Sequence, residues 1–293
     1  MGTFLPNHHQ VPVLLGVAAT IYAATSLFWS SGDLAVNAAQ ISVLAGAFFL
    51  GVWMRNIKEV WVYYETFVCL CFAVSFGYWL LYDSNELLNP NILGCALALG
   101  LAAAIGYRHW VFLAVVPVGL WFCASRAAWA GAAAAVFVGF WHTYRATGWC
   151  LALLSILGAT LAPKISASES LWHRLGVWQD TLNNLSFWGA GWGAWADAYH
   201  GFALHRNMTL MFPPHAYNDI LELLFDLGIG SVLIWALVAV SLEGRDRTDR
   251  LVLIVFFVLS LTYFPLTFVG PMVALSLGHL SQTKEKSPWL AGS

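Results

Sequence analysis

The chain has 293 residues, of which 60% are hydrophobic and only 10% are charged. Soluble globular domains carry about 25% charged residues, so this composition excludes an ordinary soluble enzyme or binding domain. The mean hydropathy of +0.71 and a series of long apolar runs instead indicate an integral membrane protein. The 16 tryptophans fit this class, because indole rings favour the two interfaces of a bilayer.

The apolar runs predict an all-α fold, a polytopic transmembrane bundle that forms one membrane domain over residues 1–293. A spanning helix needs about 20 mostly apolar residues. About ten segments qualify: 11–29, 34–54, 60–82, 91–107, 109–123, 127–142, 146–162, 216–241, 251–266 and 268–280. Several are short, and 91–123 and 251–280 could each form a helical hairpin or a re-entrant pair. The first run lacks a basic leader and a small-residue cleavage site, so we expect a span there rather than a signal peptide.

The distribution of basic residues predicts the orientation of this bundle. With the N-terminus inside, most of the 13 basic residues fall in cytoplasmic turns: Arg55, Lys58, Arg108, Arg145, Arg245, Arg247, Arg250, Lys284 and Lys286. This bias agrees with the positive-inside rule. We therefore expect both termini in the cytoplasm and the large loop 163–214 outside, in the periplasm of a Gram-negative host. A bacterial inner membrane is the expected location.

Four basic residues face outward against this bias: Arg126, Lys164, Arg174 and Arg206. Lys164 follows a span directly and is typical of an interfacial anchor. Arg126 follows Ser125 at the head of an Ala/Gly-rich span, where a cation opposes the helix dipole by roughly 0.3–1 kcal/mol. Ionisable residues at the edge of the hydrocarbon are unfavourable and often functional, so Arg126 is interpreted as an anion-binding residue, with a snorkelling anchor as the alternative. The small residues behind it would let another helix pack closely.

The outer loop is expected to contain an amphipathic helix over 171–185. Its apolar residues are spaced by four, three and four: Leu171, Leu175, Trp178 and Leu182. Such a helix lies on the membrane or lines a cavity. Arg174 stands beside this stripe and is either an interfacial cation or a second phosphate ligand, because a guanidinium fork fits phosphate oxygens.

A glycine-rich stretch, Phe-Trp-Gly-Ala-Gly-Trp-Gly-Ala-Trp, occupies residues 187–195. No strand pattern precedes it and no Gly-Lys-Ser follows, so it is not a nucleotide-binding loop. We expect a tight turn whose backbone can approach a ligand. The indole rings, Trp192 among them, are candidates for stacking on sugar rings.

A helix is predicted to follow the Pro213-Pro214 pair and to begin near His215. On 100° per residue, one face collects a polar stripe: His215, Asn218, Asp219, Glu222 and Asp226. Tyr217 falls on the opposite side. Asp226 would then lie about 16 Å from His215, near the middle of the bilayer, facing a water-filled or arginine-containing cavity. If His215 lies just outside the helix, this count does not define its direction.

Four of these motifs occur in an order that resembles a known family. They are Ser-Arg at 125–126, Arg-x3-Trp at 174–178, Trp-Gly-Ala-Gly-x-Gly at 188–193, and His-Ala-Tyr-Asn-Asp-x-Leu-Glu at 215–222. Together they resemble the O-antigen ligase and O-antigen polymerase superfamily of bacterial membrane glycosyltransferases, over about residues 120–240. Two departures stand out. The chain is short for that family, and the family's usual His-Asn pair is Tyr217-Asn218 here.

The resemblance implies an enzyme that transfers a glycan from undecaprenyl diphosphate to a sugar hydroxyl on the outer face of the inner membrane. The acceptor would be a lipid A core for a ligase, or a second lipid-linked glycan for a polymerase. Membrane lipids are further partners, and no nucleic acid is expected. The family works without a metal or another cofactor. The five cysteines also lack metal-ligand spacing, so we expect neither a zinc site nor a disulfide.

The expected roles follow from the chemistry of that transfer. Arg126 and Arg174 would stabilise the departing diphosphate as catalytic residues. His215 would be the general base, oriented by Asp219 or Glu222, and the open alternative is that the Tyr217 position, where the family usually has its histidine, is the functional one. The remaining expected substrate contacts are Arg206, Tyr217, Asn218, Asp219, Glu222 and Trp192. The open alternatives are a homologue that binds the lipid-linked glycan without turnover, a transporter, and a structural membrane subunit.

Overall fold

The computed structural model describes residues 10–53, 68–76, 89–107, 109–141, 168–203, 215–242, 247–261, 263 and 266–280. None of these residues lies in a strand, which confirms the all-α fold class for the described part of the chain. The chain divides into two compact units. The first comprises 1–55, 168–245 and 270–293, and the second comprises 56–167 and 246–269.

The helices are α1 (Gln10–Ser26), α2 (Leu34–Trp53), α3 (Pro90–Tyr107), α4 (Trp110–Cys123), α5 (Arg126–Trp141), α6 (Ser168–Asn183), α7 (Trp195–Ala203), α8 (Asp219–Leu227), α9 (Ser231–Leu242), α10 (Arg247–Ser260) and α11 (Leu266–Leu280). A 3-10 turn, Gly228–Gly230, joins α8 to α9, and residues 68–76 are also helical.

Two described helical segments are long and apolar enough to cross a membrane. They are α2 and the continuous segment Asp219–Leu242, which runs through the 3-10 turn. Shorter apolar helical stretches of 10–17 residues lie in α1, α3, α5 and α10. The predicted span 146–162 lies outside the described residues. The described residues therefore contain two candidate membrane spans, and the total of about ten spans stays a prediction.

In the second unit, α3 and α4 form an antiparallel hairpin. A Cβ on Gly100 would lie 2.5 Å from the ring of Phe112, and one on Gly119 would lie 2.6 Å from the side chain of Leu97. The residue numbers in these two pairs rise along one helix as they fall along the other, so the helices run antiparallel. The structure thus gives α3 and α4, the described helices of the 91–123 segment, as a packed pair. After α4, Ala124 takes a left-handed conformation, and the hydroxyl of Ser125 accepts the N–H of Ala128 at the start of α5.

Small residues bring α3 and α5 into close contact, as the Ala/Gly composition of α5 predicts. A Cβ added to Gly94 would lie 2.8 Å from Cβ of Ala128 and 3.2 Å from Cβ of Ser125. Ala98 and Ala135 are completely buried in the same unit. Close backbone approach of this kind replaces large side chains as the source of packing energy between apolar helices.

Gly94→Val should therefore destabilise the second unit by about 1–3 kcal/mol, because the added methyl groups overpack the contact with α5. Gly46→Val in α2 is the matched control, since a Cβ there meets no atom within 4 Å. Both changes carry the same difference in helix propensity. The midpoint of thermal unfolding in detergent should fall for the Gly94 variant and not for the control. Equal midpoints would show that this helix contact tolerates bulk.

In the first unit, α1 and α2 form a hairpin whose turn lies against the glycine-rich stretch. The carboxylate of Asp33 caps α2 by accepting the N–H groups of Ala35 and Val36, at 2.9 and 3.1 Å. Helices α6, α7 and α8 surround a separate small core, formed by Val177, Trp195, Tyr199, Ala216 and Phe225. This core supports the turn that carries the candidate site.

Candidate functional site

The turn before α8 holds His215, Ala216 and Tyr217, and α8 itself begins at Asp219. Asn218 is its N-cap: its extended backbone (φ -161°) precedes the helix, and Oδ1 accepts the N–H groups of Ile220 and Leu221. The prediction that the helix starts near His215 is therefore wrong. Asparagine is among the strongest N-cap residues, and as the N-cap it sets the start of the helix at Asp219, four residues after His215.

His215 and Glu222 form a hydrogen-bonded pair across this turn. Nδ1 of His215 lies 2.8 Å from Oε1 of Glu222, and the two side chains are 21% and 17% exposed. The other carboxylate oxygen of Glu222 accepts the N–H of Ala216 at 2.8 Å. A carboxylate accepts but cannot donate, so it favours the tautomer with the proton on Nδ1. In that tautomer, Nε2 is left as a proton acceptor.

Tyr217 has φ +55°, a left-handed conformation that is uncommon for a residue with a bulky side chain. Its ring lies under the guanidinium of Arg174, with Cζ 5.0 Å from the ring centroid. The ring of His173 meets the same tyrosine edge-on, with 6.5 Å between centroids. A cation over an aromatic face at this distance contributes about 0.5–1 kcal/mol at an exposed site and about 2 kcal/mol where it is desolvated, and both side chains are half-buried here. Arg174 and Tyr217 thus belong to one cluster.

Trp178 ties α6 to the same turn. Its Nε1–H donates to the carbonyl oxygen of Ala216 at 2.9 Å. The sequence placed Trp178 on an apolar stripe with Leu175 and Leu182, and the structure divides that stripe. Leu175 and Leu182 are exposed, whereas the indole of Trp178 turns toward the protein, because its N–H finds an acceptor there.

The glycine-rich turn is enclosed by protein rather than open to a ligand. Gly189, Gly191 and Gly193 all have positive φ, and a Cβ on each would collide with atoms of Asp226, Ser30 and Asn37 respectively. The backbone N–H groups from Ala190 to Trp195 all have partners. These acceptors are O of Phe225, O of Asp226, Oγ of Ser26, Oδ2 of Asp226, O of Gly191 and Oδ1 of Asp226. The backbone of this stretch was expected to approach a ligand. It instead lies close to α8 and to the α1–α2 turn.

Asp226 holds the centre of this turn. Its carboxylate accepts the N–H groups of Gly193 at 2.7 Å and Trp195 at 3.0 Å, at the N-terminus of α7. The residue is 5% exposed. The prediction that Asp226 faces a water-filled or arginine-containing cavity is therefore wrong, because its carboxylate binds backbone N–H groups instead. Negative charge at the start of a helix is favourable, since the helix dipole is positive there.

Trp192, an expected sugar contact, is 8% exposed and packs as part of the same turn. Its Nε1–H donates to Oε1 of Gln40, and its carbonyl oxygen accepts from Ser30 and Asn37. A ring enclosed in this way presents no free face for a sugar. We therefore omit Trp192 from the proposed contact set.

The remaining expected residues fall in different places. Asp219 is the first residue of α8 and is 3% exposed. Arg126 is exposed at the first position of α5, in the second unit. Arg206 lies outside the described residues. The structure therefore brings together His215, Tyr217, Asn218, Glu222 and Arg174 around one turn of the first unit.

Sequence reasoning assigned no site role to His173 or Trp178, although Trp178 ends the Arg-x3-Trp motif. One local signal was present, because residues three and four apart on a helix share a face. His173, Arg174, Val177 and Trp178 follow that spacing on the inner side of α6. That these residues lie against the 215–217 turn follows only from the tertiary structure.

The arrangement supplies two chemical functions. A histidine with a fixed tautomer can take a proton from a hydroxyl, and a guanidinium can bind a polyanion such as a diphosphate. Comparisons with known protein families, curated proteins and solved structures find no match to this chain.

Proposed function

We propose that the protein is a membrane glycosyltransferase that moves a glycan from undecaprenyl diphosphate to a sugar hydroxyl. The single observation that carries this proposal is the turn at 215–217. There, the His215–Glu222 pair and the Arg174–Tyr217 cation–π contact belong to one turn, in which His215 and Tyr217 are two positions apart. A base for the acceptor and a cation for the leaving group are the two requirements of glycosyl transfer to a hydroxyl.

The proposed step proceeds as follows. Nε2 of His215 takes the proton of the acceptor hydroxyl, and the oxygen attacks the anomeric carbon of the donor. The new carbon–oxygen bond forms as the bond to the lipid diphosphate breaks. The bonding electrons leave with the diphosphate, which gains negative charge. Arg174 stabilises that charge. The diphosphate contacts that the sequence predicts for Arg126 and Arg206 stay predictions.

The proposal includes the membrane setting expected from the sequence. About ten spans would hold the protein in a bacterial inner membrane with both termini in the cytoplasm. The helices of the 163–214 loop would then face the periplasm. Lipid-linked donors carry a long apolar chain, and the two candidate spans, α2 and Asp219–Leu242, support a location where that chain dissolves. The acceptor is a lipid A core or a second lipid-linked glycan.

Arg174→Ala should lower the rate of transfer by about 10²-fold or more, because removing one preorganised donor to a developing anion has effects of that order. The assay uses the full chain reconstituted in liposomes with an undecaprenyl diphosphate-linked glycan and a core acceptor. Arg126→Ala tests the sequence prediction for Arg126 separately in the same assay, and a loss of transfer would support that prediction. Arg250→Ala, an exposed arginine of α10, is the control and should retain the wild-type rate.

A separate measurement of donor binding distinguishes the enzyme from a non-catalytic homologue. The enzyme binds the donor and turns it over, whereas a binding protein shows saturable binding without transfer to either acceptor. Wild-type protein that neither binds nor transfers the lipid-linked donor would contradict the proposed function. Full transfer by Arg174→Ala would remove this arginine from the mechanism.

A further inference from the structure

The backbone on both sides of the Tyr217 ring is held by hydrogen bonds. The N–H of Ala216 donates to Glu222, and its carbonyl oxygen accepts from Trp178, both within 2.9 Å. On the other side, Asn218 caps α8 with its side chain. Tyr217 therefore sits between two anchored residues, in a left-handed conformation that is unfavourable for tyrosine by itself. The surrounding contacts maintain that conformation.

This conformation has a consequence for Arg174. An arginine side chain has many rotamers, and ordering it lowers its entropy. The guanidinium carbon lies over the face of Tyr217, 5.0 Å from the ring centroid, so the ring gives the guanidinium a preferred position. An arginine fork carries several N–H donors in a fixed geometry that matches phosphate oxygens. It can bind two phosphate oxygens while the cation–π contact is kept.

We propose that Tyr217 is a positioning residue that holds the Arg174 guanidinium in the orientation that binds a diphosphate. This inference rests on the proposed function, because it takes Arg174 as the diphosphate contact. It assigns the effect to the aromatic ring of Tyr217 and not to its hydroxyl group. Tyr217 then has a role distinct from that of a base, which stays with His215.

Two substitutions separate the ring from the backbone. Tyr217→Phe keeps the ring and removes the hydroxyl. Tyr217→Asn removes the ring but suits the backbone, because asparagine tolerates the left-handed conformation better than most residues. A loss seen with Asn cannot then be attributed to added backbone strain. Thermal unfolding of both variants checks that each one is folded.

The probe is undecaprenyl diphosphate without a glycan, bound to the full chain in nanodiscs. Tyr217→Phe should bind it within about twofold of the wild-type Kd. Tyr217→Asn should bind about tenfold more weakly, which lies in the range of a partly desolvated cation–π contact. Arg174→Gln should weaken binding at least as much. The double variant Tyr217→Asn with Arg174→Gln should be no weaker than Arg174→Gln alone, because the ring acts through the arginine.

The outcomes separate this inference from the proposed function. If Arg174→Gln weakens binding but Tyr217→Asn does not, the positioning role is wrong and the proposed function stands. Additive losses in the double variant would likewise overturn it, since they would mean that Tyr217 contacts the ligand independently. If Tyr217→Phe loses binding as Asn does, the hydroxyl is the relevant group. If the wild-type protein does not bind the diphosphate, the proposed function itself fails.

Discussion

Asp226→Ala should destabilise the first unit by about 2–6 kcal/mol. The change leaves two backbone N–H groups, those of Gly193 and Trp195, without their acceptor. An unsatisfied buried donor is unfavourable by about 1–3 kcal/mol, and both donors lie in an enclosed turn. Folded proteins are stable by only about 5–15 kcal/mol, so this loss is a large fraction of the total.

Asp33→Ala provides a matched control for this prediction. Asp33 also accepts two backbone N–H groups at the start of a helix, but it is exposed. Water can replace its carboxylate, so the loss should be about 1 kcal/mol, the usual effect of removing an N-cap. Unfolding of the full chain in mixed micelles, followed by circular dichroism against denaturant, compares the two variants.

The same comparison tests the role of Asp226. If this carboxylate served a substrate cavity, Asp226→Ala would unfold at the wild-type denaturant concentration and would change only transfer. If it anchors the glycine-rich turn, the midpoint falls well below that of Asp33→Ala. Asp226→Asn should lie between the two, because its amide oxygen can accept one N–H while its NH2 group faces the other.

The positions of the apolar helices follow from the sequence because the length of an apolar run records the length of the helix. Segment 34–54 was predicted as a span, and α2 covers Leu34–Trp53. The amphipathic helix predicted over 171–185 is found at Ser168–Asn183. Both signals are local, so they needed no knowledge of the fold. Helix ends were less predictable, and α10 extends from Arg247 to Ser260 where 251–266 was expected.

The start of α8 shows how one misplaced boundary alters a site. Counting 100° per residue from His215 put this residue on the helical stripe and Tyr217 opposite it. The local cap signal at Asn218, with acids at Asp219 and Glu222 in the first turn, gives the observed start. Asp219, Glu222 and Asp226 still share one helix face on that count. Tyr217 is instead placed by the turn, which directs its ring to Arg174.

The partners of the glycine-rich turn could not be predicted from the sequence. The N–H of Trp192 donates to Ser26, 166 residues away, and its carbonyl oxygen accepts from Asn37 at a separation of 155 residues. Nothing near Ser26 or Asn37 marks them as partners, since both lie in ordinary apolar helices. Alternating glycines predicted only that some group approaches the backbone closely. Whether that group is a ligand or the protein is a property of the tertiary structure.

His215→Ala should lower the rate of transfer by about 10²–10⁴-fold, the usual contribution of a general base. The protein should stay folded, because the histidine is partly exposed and caps no helix. His200→Ala is the control, since His200 is an exposed histidine of α7 outside the turn. Single-turnover kinetics with a saturating lipid-linked donor measure the chemical step directly. A wild-type rate for His215→Ala would place the base elsewhere.

Glu222→Gln tests whether the tautomer of His215 controls its activity as a base. In the wild type, one oxygen of Glu222 accepts the N–H of Ala216, and the other meets Nδ1 of His215. The N–H of Ala216 can only donate, so the amide oxygen of a glutamine must face it. The glutamine NH2 group then faces Nδ1 as a donor, which moves the imidazole proton to Nε2. A histidine that carries its proton on Nε2 cannot take a proton from the sugar hydroxyl at that nitrogen. The rate should therefore fall by about as much as in His215→Ala, although Glu222→Gln keeps the size and hydrogen bonding of the side chain. If the rate stays near the wild-type value, the tautomer does not control transfer, and Glu222 serves only to hold the turn.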